Sequence, residues 1–274
     1  MIKDVMVRLD GSAADEVCLS AVNDIADLFD SQVTGLFLNV MPLVVAPEDG
    51  VGAMAATELM EAAKEAGDKV EARLRERLNR LQKPVELRRF DILSDAAADV
   101  AAREARTSDT FVALRPNGAP HEPEHLVESV LFGSGRHLFL VPSRKPEKVI
   151  FERIALAWNG SREAARALAE ALPYLQKAKE VTVLVVDDER PIELNATLGV
   201  DAVKHLKHHG INATLHRARM REEVGATLIA ETRRLKADLL VMGAYGHSRV
   251  REWLLGGATY TLLHKAPVPL LIAH

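Results

Sequence analysis

The sequence contains little cysteine, few aromatic residues and no long apolar run, and each shortage excludes a class of protein. The single cysteine, Cys18, rules out an internal disulfide framework and any zinc site made of cysteines alone. An aromatic share of 4% argues against stacking platforms for single-stranded nucleic acid. The most apolar stretch, residues 33–46, is too short to span a bilayer. Because no targeting segment is recognisable either, we expect a reduced, cytoplasmic protein that does not bind membranes.

Net charge, composition and length further restrict the kind of protein that the sequence can encode. The 35 basic and 39 acidic residues give a net charge of −4, which argues against a nucleic-acid partner. A composition of 48% hydrophobic and 27% charged residues is typical of a soluble globular chain with an ample core. At 274 residues, the chain is long enough for two domains.

The chain contains one pattern twice. A strand-like run ending in Asp10-Gly11-Ser12 resembles a run ending in Asn159-Gly160-Ser161, and each is followed by a helical stretch and a buried-strand run. The offset between the halves is 149 residues at the first strand and 148 at the second. Strands that alternate with helices predict a mostly parallel sheet covered on both faces. We place the boundary in the linker at residues 143–147, which gives domains 1–146 and 147–274.

The pattern predicts the remaining elements of both halves. In the first half, strands are expected at 33–40, 85–90, 110–115 and 138–141, and helices at 13–29, 57–81 and 95–107. In the second half, strands are expected at 181–186, 213–218, 239–243 and 269–273, and helices at 162–176, 192–209 and 222–236, with a further one from about 257. Ligands of doubly wound sheets bind beyond the carboxyl ends of the strands, so these ends are the candidate site.

Glycines are concentrated after the fourth strand of the second half. The spacing is Gly243-x2-Gly246, nine residues, then Gly256-Gly257. Glycines let a backbone approach an anion closely, and a helix beginning near Gly257 would direct its first amides at phosphate oxygens. His247 and Arg249, in the intervening segment, would add positive charge. The pattern predicts an anion site, although glycines that only shape tight turns would give the same spacing.

The spacing of these glycines and the paired α/β halves resemble the universal stress protein family in its tandem, two-domain form. The resemblance implies two tandem doubly wound, mostly parallel five-stranded sheets of the Rossmann-like, adenine nucleotide alpha hydrolase-like class. It also implies that strands 138–141 and 269–273 pair, so that the chain forms a pseudo-dimer; a further homodimer stays open. The implied ligand is ATP, or ADP or AMP in its place, and the implied role is in stress response or signalling.

The resemblance also assigns roles to individual residues in the second half. Asn159 and the Val186 backbone would hold the nucleoside, Met242 would border the base, and the glycine loop would hold the phosphates. Ala258 and Thr259 would continue the phosphate-binding start of the helix.

Two positions in the second half depart from the family pattern. Gly257 stands where the family has serine or threonine, which removes a hydroxyl donor worth about 1.5–3 kcal/mol, or about one to two decades of affinity. Asn159 replaces the usual aspartate, and it still offers a donor and an acceptor.

The first half keeps Asp10, Gly11 and Ser12 but loses the glycine loop. Leu114 stands where Gly243 stands, and Pro116 removes an amide donor. Gly133-Ser134-Gly135 follows, with too few residues before the last strand for the helix that the other half has there. We expect this half to be a degenerate, non-binding partner.

Other residues offer competing signals. His121 and His125 have the i, i+4 spacing of zinc ligands, but no third ligand is evident nearby, and we expect a solvated acidic helix start. His205 and His209 share this spacing within a loose cluster with His208 and His216, where we expect a polar, exposed helix end. The acidic residues 187–189 follow a strand, where they would hold Mg²⁺ or form a solvated loop. Cys18 falls on an apolar helix stripe. The charged residues 58–80 predict a solvent face. Trp158 would line a base pocket or fill a domain interface.

The sequence predicts no dedicated enzyme. It holds no Ser-His-Asp arrangement, Walker loop or dinucleotide fingerprint. Three functions stay open: a nucleotide-binding stress protein, a nucleotide-free interaction module with a vestigial cleft, and a slow ATPase. The last is the weakest because no residue is evidently placed as a base.

Overall fold

The computed structural model describes residues 1–44, 50–116, 125–143, 151–187, 197–244 and 257–274. The chain divides into two compact units. The first contains residues 2–113 and 118–134, and the second contains residues 114–117 and 135–274 together with residue 1. The predicted boundary at 146/147 falls outside the described residues and stays a prediction.

The first unit is built on four parallel strands in the order β3-β2-β1-β4. Helices α1 and α2 connect its first three strands, whereas α3 and α4 pack on each other. Its elements are β1 (Asp4–Leu9), α1 (Asp15–Phe29), β2 (Gln32–Val40), α2 (Gly50–Asn79), β3 (Val85–Ile92), α3 (Ala97–Ala105), β4 (Thr110–Leu114) and α4 (Leu126–Gly133).

The second unit is built on six strands in the order β5-β10-β9-β6-β7-β8, of which all but β5 run parallel. Its elements are β5 (Leu138–Val141), β6 (Arg153–Ala157), α5 (Arg162–Leu175), β7 (Glu180–Asp187), α6 (Val200–His208), β8 (Ala213–Arg219), α7 (Val224–Arg234), β9 (Leu239–Gly243), α8 (Gly257–Lys265) and β10 (Leu270–Ala273). Each half of the sequence thus contributes five strands to a mostly parallel α/β fold, as predicted.

The last strands of the two sequence halves pair as the resemblance implied. β5 runs antiparallel to β10, with Leu140 opposite Leu270 and Leu138 opposite Ile272. An aromatic cluster helps to fix β5 in the second unit, because the ring of Phe139 stacks on that of Tyr174 in α5 at a centroid distance of 5.9 Å. Both rings are fully buried.

The two halves repeat the same hydrogen bonds where their first strands begin. Asp109 Oδ2 accepts from the amides of Lys3 and Asp4 at 2.7 and 3.1 Å. Asp238 Oδ2 accepts from the amides of residues 152 and 153 at 3.0 and 2.9 Å. The two halves therefore share individual hydrogen bonds as well as a sequence pattern.

Two predicted helices need correction, and one helix was not predicted. α2 begins at Gly50 rather than at residue 57, because the alanines at 53, 55 and 56 favour a helix despite two glycines. Within the predicted helix 192–209, residues 192–196 lie outside the described part of the chain, 197–199 form a turn with left-handed Gly199 at φ of +89°, and α6 begins at Val200. The helix that was not predicted is α4, which ends at Gly133 and so lies before Ser134 and Gly135 instead of after them. None of the helices among the described residues is long and apolar enough to cross a membrane.

Candidate functional site

The carboxyl edge of the second sheet brings four predicted residues to one level. β6 pairs with β7 so that Ala157 lies opposite Leu184, and with β9 so that Leu156 lies opposite Val241. Two residues past Ala157, Asn159 is therefore at the level of Val186 on one side. On the other side, Met242 and Gly243 directly follow Val241. Val186 and Met242 are largely buried, whereas Asn159 is exposed.

The Asn-Gly-Ser segment forms a tight turn from β6 into α5. Gly160 is left-handed, with φ of +77°. Asn159 Oδ1 accepts from the Ser161 amide at 3.0 Å, and Ser161 Oγ accepts from the Ala164 amide at 3.1 Å, which caps α5. The first unit repeats the turn with Gly11 at φ of +83° and Asp10 Oδ1 accepting from the Ser12 amide at 2.9 Å.

Gly243 at the end of β9 packs against the first turn of α5. A β-carbon at this position would lie 2.6 Å from the Glu163 carbonyl oxygen, and closer still to the Ala164 nitrogen. Helix packing therefore requires a glycine here, with or without a ligand. The next amide, that of Ala244, donates to the Ala273 carbonyl at 2.8 Å, which leaves it unavailable to an anion.

Gly257, at the start of α8, is not tightly packed against described residues as Gly243 is. It is exposed, and a β-carbon there would meet no described atom within 4 Å. Behind it, α8 packs closely on α7, because a β-carbon on Gly225 would lie 3.2 Å from the Ala258 Cα. Ala258 is half-buried and Thr259 is buried.

Several predicted site residues cannot be placed. Gly246, His247, Arg249 and Gly256 lie in residues 245–256, outside the described part of the chain. Their roles stay predictions. No atom of the described residues gives a packing reason for a glycine at 257, whereas α5 gives one for the glycine at 243.

Of the acidic residues 187–189, the structure describes only Asp187, the last residue of β7. Asp187 Oδ1 pairs with Arg217 at 2.5 Å. The Arg217 guanidinium also donates to the Leu198 carbonyl at 3.3 Å. Asp188 and Glu189 lie outside the described residues. Within the described ranges, no group of three histidine, cysteine or acidic side chains is placed to hold a metal ion.

The histidine pairs fit their expected roles where the structure describes them. His205 and His209 are exposed at the end of α6, and their ring centroids lie 4.7 Å apart. His125 directly precedes α4 with φ of +58°, and His121 lies outside the described residues. Cys18 is buried in the core as predicted, and burial raises the pKa of its thiol.

In the first unit, α2 lies against the turn that follows β1. A β-carbon on Gly11 would lie 2.5 Å from Val70 Cγ1. Arg77 donates to the Ser12 carbonyl at 2.7 Å and pairs with Asp15 at 3.3 Å. Arg77 thus corrects the prediction that this charged run is only a solvent face.

Asp15 is a site residue that the sequence did not reveal. Its carboxylate is buried and accepts from the amides of Asp10 at 3.1 Å and Gly11 at 2.8 Å. In the second unit, Ala164 stands 149 residues later and has no such group. The one available signal was an aspartate after Asp-Gly-Ser, which sequence patterns attribute to a helix N-terminus.

The described strands and helices form a doubly wound α/β fold of the Rossmann-like class. Comparison with known proteins identifies the family. Residues 151–274 match the model of the universal stress protein family. The C-terminal half of the chain therefore belongs to that family, and the resemblance seen in the sequence is confirmed.

Solved structures share the fold over both halves. A universal stress protein from Archaeoglobus fulgidus DSM 4304 aligns with a TM-score of 0.74 at 16% identity, over 98% of this chain and 97% of that chain. A functionally unknown protein from Pseudomonas aeruginosa PAO1 aligns with a TM-score of 0.59 at 15% identity, over 99% of this chain and 92% of that chain. At these identities the likeness establishes the fold. No curated protein sequence matches the chain significantly.

Proposed function

We propose that the second unit binds ATP, or ADP or AMP, at the carboxyl edge of its sheet, and that the protein acts in stress response or signalling through this binding. The observation that carries the proposal is the start of α8, where Gly257 is exposed and a β-carbon would meet no described atom within 4 Å. Helix N-termini bind phosphate because their first amides lack partners and the helix dipole is positive there. Membership of residues 151–274 in the universal stress protein family supports this ligand class.

Each part of the nucleotide would contact a different element. The amides of Gly257, Ala258 and Thr259 would bind phosphate oxygens. Asn159 and the Val186 backbone, which lie at one level of the sheet, would contact the nucleoside. Met242 would border the base, and the loop glycines with His247 and Arg249 would complete the phosphate site.

Binding without dedicated catalysis is the activity that we propose. Glu163 and Asp187 are described carboxylates at this edge, and each pairs with an arginine, Arg162 and Arg217 respectively, at 2.5 Å. Neither is therefore a ready base for activating water. The pairing of Asp187 also means that the described residues do not fit a protein-held Mg²⁺ at this position. Slow hydrolysis of ATP is a weaker alternative.

A nucleotide-free interaction module is the second candidate. The packing of Gly243 on Glu163 favours it, because this contact explains one glycine of the motif without any ligand. In the first unit, where Asp15 accepts from the turn amides and α2 packs on the turn, we propose that no nucleotide binds.

Calorimetric titration with ATP, ADP and AMP tests the proposal. We expect the wild type to bind at least one of them, and Gly257→Asp to weaken that binding at least tenfold. An aspartate at the first residue of a helix favours the helix but repels phosphate, so the fold is retained. Thr214→Asp, at an exposed position near the start of β8, adds the same charge at the other end of the sheet and should bind as the wild type does.

Thermal unfolding with and without nucleotide tests the same proposal through the stability of the protein. A ligand at 100 times its dissociation constant stabilises the folded state by about 2.7 kcal/mol. A wild type that gives neither heat nor a shift in Tm with millimolar nucleotide would contradict the proposal and favour the interaction module.

A further inference from the structure

The parallel strands of the second sheet begin at its amino edge, which is opposite to the proposed nucleotide site. β6 pairs with β7 and β9, and β7 with β8, from their first or second residues on. Hydrogen bonds join the loops that precede these strands: Asn212 Nδ2 donates to the Lys179 carbonyl at 3.1 Å, and Arg153 Nε donates to the Lys236 carbonyl at 2.8 Å. The amino-edge surface is formed by the exposed side chains of Lys177, Lys179, Lys207, His208, Arg233 and Lys236.

The sequence around this surface is unusually basic for the chain. Residues 202–221 contain five lysine or arginine residues, four histidines and no acidic residue. Residues 151–274 contain 17 basic and 14 acidic residues, which gives a net charge of +3, although the whole chain has −4. The positive charge of the chain is therefore concentrated in its second half.

Carboxylates near the amino-edge surface already have partners. Glu152 pairs with Lys179 at 2.6 Å, and Glu231 pairs with Arg234 at 2.6 Å. Asp238 Oδ2 accepts from the amides of residues 152 and 153, and its Oδ1 is buried. These acidic groups are thus not available to neutralise the other cations of the surface.

Several cations of the surface have no such partner. Within the part of the chain that the structure describes, Lys177, Lys207 and Lys236 form no ion pair. Glu180 is exposed next to Lys179 in the chain and offsets one charge. The amino-edge surface therefore keeps a net positive charge.

Helix dipoles alone do not account for this surplus of charge. Cations stabilise the last turn of a helix, but Lys177 lies beyond the end of α5. At the amino edge of the first unit, Lys3 pairs with Asp30 at 3.5 Å and Lys83 pairs with Asp27 at 3.0 Å. Among the described residues, the unbalanced row of cations is therefore a feature of the second unit.

We propose that the amino-edge surface binds an acidic, extended segment of a partner protein. The strand order β9-β6-β7-β8 places the basic loops in a row that is three strand spacings, or about 15 Å, long. About five residues of extended chain cover that length. Carboxylates of such a segment would pair with the cations that have no acidic partner in this chain.

Other polyanions fit this surface less well. The helices present their ends at this edge, so none is placed to lie along the major groove of a duplex. No described residue of the edge is an exposed aromatic or large apolar side chain that would stack on bases or insert into a membrane. A long polyanion would also be repelled by residues 1–150, whose 18 basic and 25 acidic residues give a net charge of −7.

Fluorescence anisotropy with a labelled octaglutamate peptide tests the proposal on the full chain. We expect the wild type to bind the peptide, and the affinity to fall at least tenfold between about 50 and 500 mM NaCl, because salt screens exposed charges. The variant Lys177→Gln/Lys207→Gln/Lys236→Gln should bind about tenfold more weakly, which is the effect expected of three exposed ion pairs.

A matched control removes three exposed charges from α2 of the first unit. The variant Lys64→Gln/Lys69→Gln/Arg73→Gln has the same net charge as the first variant and should bind as the wild type does. Equal weakening in both variants, or no binding by the wild type in dilute salt, would overturn the proposal. Tighter binding of a short DNA duplex or of vesicles containing phosphatidylserine would also overturn it, because the surface would then serve another class of partner.

Amide NMR of the wild type tests the location of the surface without a variant. Octaglutamate should shift the signals of residues 177–180, 207–212 and 235–237. Shifts confined to residues of the first unit would overturn the proposal.

Discussion

Gly243 at the end of β9 lies directly against the backbone of Glu163 in the first turn of α5. A side chain at this position would push α5 away from the sheet. Gly243, the first glycine of the family motif, thus allows α5 to pack against the end of β9, whether or not a ligand binds. Phosphate binding would then depend most directly on Gly257, where no described neighbour requires a glycine.

Replacing each of these two glycines by alanine should separate packing from binding. We expect Gly243→Ala to lower the free energy of unfolding by about 1–3 kcal/mol, because the new methyl overlaps the α5 backbone. Gly257→Ala should leave it unchanged or raise it by up to about 1 kcal/mol, because alanine favours a helix and its methyl would meet no described atom within 4 Å. Urea denaturation measures both. Equal stability of the two variants would show that Gly243 has no packing role.

The serines of the two turns should differ in their contribution to stability. Ser161 caps α5 by accepting from the Ala164 amide at 3.1 Å. Ser12 does not cap α1, whose first turn follows Ala14. We therefore expect Ser161→Ala to cost about 1 kcal/mol and Ser12→Ala clearly less, as measured by denaturant unfolding. A larger loss for Ser12→Ala would contradict this account of the turns.

The assignment of β5 to the second unit predicts which helices respond to a core cavity. Phe139 of β5 and Phe111 of β4 are both fully buried. Each alanine variant should lose about 3–5 kcal/mol. Hydrogen exchange should show α5 losing protection in Phe139→Ala and α3 losing protection in Phe111→Ala. Loss of protection in α3 on replacing Phe139 would assign β5 to the first unit instead.

Periodicity predicted most of the fold because buried parallel strands are long apolar runs. β7, for example, buries six consecutive residues, and its predicted and observed bounds agree to within one residue at each end. The errors in the predicted helix boundaries occur next to glycines. Gly50 and Gly52 hid the start of α2 from the sequence pattern, and left-handed Gly199, which the pattern placed inside a helix, lies in the turn directly before α6. The helix α4 was missed because the glycines after it were aligned with glycines that precede α8.

The candidate site was predictable only as positions along the chain. The sequence placed Asn159, Val186 and Gly243 at or just after the carboxyl ends of three strands, and the register of the sheet puts these ends at one edge. It could not show that Gly243 packs on a helix 80 residues earlier, nor that Asp15 and Arg77 meet across 62 residues. Such contacts depend on how helices pack on the sheet, which local patterns do not encode.

Titration of ATP into the wild type and into Gly257→Ser is the most direct test of nucleotide binding at α8. The account predicts that the wild type binds and that the serine variant binds about 10 to 100 times more tightly, because the added hydroxyl donates to a charged phosphate. Absence of binding in both proteins, or equal affinities, would contradict it.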